Sequence, residues 1–128
     1  MLDLLAPCAP GRRLSRAEVR YLELDPGRSL LVLWRVDVDG VPAEVVVSRG
    51  RMHPAEAARA ALAAAAGRAP VERAVAEAGE PPALVAWYPA DPGLPLLASG
   101  LEAAAGRIGL ASGAEPRLLA WMPQQRAT

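Results

Sequence analysis

The chain has 128 residues, 52% of them hydrophobic, and its 14 basic and 14 acidic side chains cancel to zero net charge. That length suits one domain able to bury about two-thirds of the surface its unfolded chain exposes, and the charge balance argues against nucleic acid or an anionic membrane as partner. Every basic residue is Arg, so the chain offers no lysine for a Schiff base or for gripping phosphate, while one Cys and one His rule out an internal disulfide and leave no zinc set.

Met1 to Arg13 reads as a loosely held lead-in: Leu2, Leu4 and Leu5 could dock on a body, but Pro7, Pro10 and Gly11 interrupt any regular element. Its acidic start and its prolines fit neither a signal peptide nor a membrane span, which makes the cytoplasm the expected location. Ser15 and Glu18 have capping-box spacing, yet no helical stripe appears before Pro26, so Val19 to Leu24 is read as a strand.

The most ordered stretch is Arg20 to Arg49, which reads as a three-stranded antiparallel meander. Leu30, Val32, Trp34, Val36 and Val38 alternate onto one face, expected to be core throughout, while Leu31 and Leu33 give way to Arg35 and Asp37 on the other. Pro26-Gly27 marks the turn before this strand, and Asp39-Gly40 has the composition of a type I′ hairpin turn after it. Val41, Ala43, Val45 and Val47 then return along a third strand.

Pro54 opens a helix expected to run to about Ala66, because proline suits the first helical turn and alanine dominates from Ala55 to Ala66, with Gly67 as a stop. Val71 to Ala78 reads as a further short helix, closed by Gly79 and Pro81-Pro82. Ala83 to Tyr88, apolar at every position, reads as a buried strand, and Pro89 to Pro95 as a turn-rich loop. Ser99 and Glu102 match a second capping box ahead of a short helix from Gly100 to about Leu110; Arg117 to Met122 is a last strand, ended by Pro123. The expected fold is thus α+β, a single module over residues 1–128 in which a curved antiparallel sheet of about four to five strands packs on one main helix plus one or two short helices.

Arg20-x-Leu22-x-Leu24-x-Pro26 recurs as Arg117-x-Leu119-x-Trp121-x-Pro123. The pair is either a partial internal repeat or a coincidence of an Arg-, Leu- and Pro-rich chain. In the second copy the sequence stops at Thr128, where a partner strand would begin.

Arg20 to Arg28, the loop Tyr88-Pro89-Ala90-Asp91-Pro92-Gly93-Leu94-Pro95, and Arg117 to Arg126 together resemble the N-terminal region of bacterial aminoglycoside-phosphotransferase-like kinases. Those segments read as Arg-Tyr-x-Pro-Gly, as an aromatic-Pro-x-Asp-x-x-Leu-Pro loop, and as Arg-x-Leu-x-Tyr-x-Pro-x-x-Arg. The loop matches best, while Leu24-Asp25 stands where an aromatic-basic pair is usual. The resemblance implies a region that precedes or forms part of the small, sheet-rich lobe of a protein-kinase-like fold, with residues 116–128 leading into a following lobe and phosphoryl transfer carried downstream.

The chemistry itself is missing from the sequence. There is no phosphate-binding lysine, no His-x-Asp catalytic loop and no complete metal segment, and Pro26-Gly27 has one glycine where phosphate-covering loops have several. The expectation is therefore a noncatalytic accessory or substrate-capping module, with no cofactor and with a downstream kinase-like portion as partner. The alternative is a self-contained sheet-based interaction module that pairs with a second copy of itself or another protein. Three side chains stand out as possible contacts. His53 precedes the helix opened by Pro54, where N–H groups could receive an anion, although a solvent-exposed helix start accounts for it as well. Asp91 lies in the aromatic-Pro-x-Asp loop, where it is above all a turn former, and Trp121 lies in the last strand. Trp34, Trp87 and Trp121 are expected to supply core volume in a chain without Phe, and Cys8 is read as incidental rather than nucleophilic.

Overall fold

The computed structural model describes residues 2–50, 59, 63, 65, 67–90, 121–122 and 126–127. A short helix α1 (Leu2–Leu5) and a 3₁₀ turn (Ala6–Cys8) lead into strands β1 (Leu14–Asp25), β2 (Ser29–Val38), β3 (Val41–Arg49), β4 (Val75–Ala78) and β5 (Ala83–Trp87). These strands form one sheet in the order β1-β2-β3-β5-β4, every neighbouring pair antiparallel. Two further strands, β6 (Trp121–Met122) and β7 (Arg126–Ala127), pair with each other. The molecule is thus α+β in the broad sense and mostly sheet.

Turn chemistry sets the meander. Asp39 and Gly40 both adopt positive φ, 51° and 83°, as a type I′ turn between right-twisted strands requires. The result is an unbroken β2–β3 register from Val38↔Val41 to Leu30↔Arg49. The β1–β2 connection is equally tight: Gly27 takes φ 72°, and the Arg28 N–H donates to the Asp25 carbonyl at 2.9 Å.

Burial on β2 does not follow one face along its length. Val36 and Val38 are buried on one side, joining Val45, Val85 and Trp87, as the alternation predicts. Nearer the start of the strand it is Leu31 and Leu33, on the opposite side, that are buried. Leu31 clusters there with Val46 and Ala86, against half-buried Tyr21 and Val75. Both faces of the sheet therefore carry core. The continuous apolar run of Leu30 to Trp34 is what permits this, since a strand covered on both sides needs no alternation.

The lead-in departs furthest from expectation. Leu5, Cys8 and Ala9 are buried with Val36, Val38, Val45, Val71, Val85 and Trp87, and Leu2 packs against the same cluster. Pro7 falls in the first turn of the 3₁₀ segment, where its missing N–H costs nothing. A proline expected to interrupt regular structure thus shapes a compact turn, and the apolar residues around it cover the sheet.

A second correction concerns Val71 to Ala78. Its latter half is strand β4 rather than a helix, paired from Val75↔Ala86 to Ala78↔Ala83. Residues from Glu72 to Ala78 have good intrinsic helix formers, but β5 offers an edge whose backbone groups must be satisfied, and tertiary pairing overrides the propensity. Of the helix expected over 54–66, Arg59 and Ala63 are helical and Ala65 lies in a turn; the other positions, like the helix expected over 100–110, lie outside the described residues. Trp121 and Met122, expected to end a strand without a partner in this chain, pair instead with Ala127 and Arg126.

Candidate functional site

β1 is 12 residues long and lies at the margin of the sheet, and no strand among the described residues pairs with its outer edge. Two bulges interrupt its ladder with β2, between Ser15 and Glu18 and between Val19 and Tyr21. Arg16, inside the first, adopts φ 51°, a conformation that L side chains rarely take. Each bulge inserts one residue and so resets which side chains share a face. After the second, Tyr21, Glu23 and Asp25 align with Leu33, Leu31 and Ser29, whereas Leu22 and Leu24 align with Val32 and Leu30. Leu22 and Leu24 are 57% and 61% exposed, and Val19, opposite Trp34, is 46% exposed. These three side chains extend the half-buried Leu30, Val32 and Trp34 into solvent as one apolar strip.

The start of β1 is clamped to the β2–β3 turn by ionic contacts. Asp39 Oδ1 accepts from the Arg13 backbone N–H at 2.9 Å, and Asp39 Oδ2 meets Arg12 Nη1 at 3.1 Å. Arg12 Nε also donates to Glu72 Oε1 at 3.3 Å. The Arg13 N–H and the Arg12 guanidinium hold the Asp39 carboxyl below its usual range, and Asp39 and Glu72 raise Arg12. A cleft of about 530 Å³ opens beside this clamp, with Ala65, Ala69, Val71 and Ala74 on its walls and Arg12 and Glu72 at its rim. Among the described lining residues, Arg12 and Glu72 are engaged with each other, and the small apolar side chains beside them orient a ligand poorly.

Beneath the sheet, Cys8 and Trp87 are both fully buried. Burial pushes the Cys8 thiol up, only partly opposed by the Trp87 indole N–H and by Arg73. The buried indole Nε1 has no hydrogen-bond partner among the described residues, so it acts on the sulfur as a nearby N–H rather than through a formed hydrogen bond. A thiol held neutral and out of solvent is a packing residue, not a nucleophile. Tyr88 is likewise pushed up, first by burial and then by Glu44.

His53 and Asp91 lie outside the described residues. Trp121 lies in β6, opposite Ala127. Of the other tryptophans, Trp87 is wholly buried, and Trp34 is half-buried on the apolar strip. Sequence reasoning placed Leu22 and Leu24 in a strand but did not pick out the exposed strip, because exposure depends on β1 lying at the sheet's margin. The two bulges gave no sequence signal apart from the failure of simple alternation across Val19, Arg20 and Tyr21. Among the described residues, no group of three or more His, Cys, Asp or Glu side chains is disposed to hold a metal ion, and no helix is long and apolar enough to cross a membrane.

Comparison of the chain with protein-family models, with curated proteins and with solved structures finds no match in any of the three.

Proposed function

We propose that this chain is the noncatalytic N-terminal accessory or substrate-capping module of an aminoglycoside-phosphotransferase-like small-molecule kinase, working in the cytoplasm. One observation supports the reading: the chain is mostly an antiparallel sheet, compatible with a small, sheet-rich kinase lobe, and its sequence holds no lysine. Protein kinases cover the phosphates with a Gly-rich loop and carry the phosphate-binding lysine on the third strand. Here the first turn is Pro26 to Arg28, closed by the 2.9 Å bond from the Arg28 N–H to the Asp25 carbonyl, and β3 reads Val-Pro-Ala-Glu-Val-Val-Val-Ser-Arg without lysine. Packing of the sheet on one main helix over 54–66 belongs to the same proposal. The test is the intact mass of the native polypeptide in its source, together with its activity. A mass well above 13.4 kDa, with phosphotransfer from ATP by the longer polypeptide and none by the 128-residue chain, is the expected result. Phosphotransfer by the 128-residue chain itself, or a native mass equal to it, overturns the reading.

A second reading is favoured by the exposed strip of Val19, Leu22 and Leu24 on a marginal strand. On it, the sheet is a protein-interaction module in its own right, and β1 is the contact element.

A further inference from the structure

The regular half of β1 has the features of a strand-addition site, and we infer that it receives an extended segment of another protein in which apolar and basic side chains alternate. The inference rests on the second reading above and names the partner chemistry for it. From Tyr21 to Asp25 the ladder with β2 runs without interruption, both bulges lying earlier in the strand. Bulges are among the devices by which proteins blunt a sheet edge; both bulges of β1 lie between Ser15 and Tyr21, and the ladder from Tyr21 to Asp25 has none. An added strand would take its affinity from main-chain hydrogen bonds and its specificity from the side chains alternating above and below.

Those side chains differ sharply between the two faces. Leu22 and Leu24 present apolar surface on one, at 57% and 61% exposure. Glu23 and Asp25 lie on the other, in register with Leu31 and Ser29, and Glu23 Oε2 also accepts from the Tyr21 hydroxyl at 3.3 Å. An incoming strand therefore meets apolar side chains on the first face and carboxylates on the second, the pattern complemented by an apolar–basic repeat. The same pattern disfavours a second copy of this chain. Pairing the segment antiparallel with itself about Glu23 would set Glu23 opposite Glu23, and pairing about Leu24 would set each Glu23 opposite Asp25, like-charge contacts that destabilise a ladder.

The experiment uses the whole chain, isotope-labelled for amide NMR, and two synthetic blocked peptides of sequence Val-Arg-Val-Arg-Val and Val-Glu-Val-Glu-Val. The expected result is saturable shifts confined to β1 and its β2 neighbours, with the Arg peptide binding about tenfold or more tightly than the Glu peptide. The double variant Glu23→Gln, Asp25→Asn keeps one side-chain oxygen at each position, removes both charges, and should abolish that preference while leaving the amide spectrum elsewhere unchanged. Equal binding of both peptides, or a preference for the Glu peptide, overturns the apolar–basic partner but leaves the interaction module standing. Concentration-dependent shifts of β1 without peptide point to a second copy and do the same. No perturbation of β1 under any condition overturns the partner and the interaction reading together.

Discussion

Asp39 grips the start of β1 through the Arg12 and Arg13 pair: its two carboxylate oxygens meet the Arg13 N–H at 2.9 Å and the Arg12 guanidinium at 3.1 Å, while its own N–H donates to the Arg13 carbonyl at 2.8 Å. Three contacts from one turn residue fasten the segment after the 3₁₀ turn to the β2–β3 hairpin. The type I′ turn requires positive φ at this position, and aspartate tolerates it, so turn geometry and clamp share one side chain.

Acid should loosen this clamp. A carboxyl with a folded pKa below its unfolded value contributes stability that is fully present above the unfolded value, about 4, and is lost as pH falls through the folded one. Asp39→Asn keeps an acceptor oxygen and tolerates the positive φ but removes the charge. The variant should melt below the wild type at neutral pH, with the gap closing toward pH 2. Thermal unfolding followed by circular dichroism across that range checks it; a gap that does not change with pH would mean that the charge contributes nothing.

Gly50→Ala should be among the most disruptive single-methyl additions. Gly50 has φ 74°, and a Cβ there would overlap the Arg28 carbonyl oxygen, a backbone atom that cannot swing aside. We expect a loss of about 3 kcal/mol or more in urea unfolding. Gly27→Ala is the control: its φ of 72° is as strained, but nothing lies within 4 Å of the added carbon, so the cost should be only about 1–2 kcal/mol.

The buried lead-in can be tested against the sheet it covers. Leu5 and Leu31 are both 0% exposed, on clusters assigned to opposite faces. Leu5→Ala and Leu31→Ala should each cost about 2–5 kcal/mol in urea unfolding. A negligible effect at Leu5 would show that residues 2–9 hold the sheet only loosely.

Cys8 should resist thiol reagents. Its thiol is fully buried and raised in pKa by that burial, so reaction with a disulfide reagent near pH 8 should be slower by about a hundredfold or more in native protein than in urea. Comparable rates in the two conditions would place the thiol at the surface.

The meander was legible because its signals are local. Pro26-Gly27 and Asp39-Gly40 restrict backbone angles within two residues, and alternating apolar side chains from Val36 to Val47 report strand period directly. The proposed contact surface was less legible. Leu22 and Leu24 look the same in sequence as any core pair, and only the order β1-β2-β3-β5-β4 sets them at a margin.

What the sequence by itself determined was therefore the elements whose causes lie within a few residues: three strands, their two turns and the strand from Ala83. What only the tertiary structure decided was which surfaces met. Leu31 is buried where Val46 and Ala86 gather beside it on the second sheet face, and Leu33 is buried as well. Val75 to Ala78 became strand because β5 offered an edge, and Leu5, Cys8 and Ala9 joined the core because the sheet left apolar area beside them. Each of these turns on contacts between residues distant in sequence, whose free energy outweighs local propensity and cannot be read from a window of neighbouring residues.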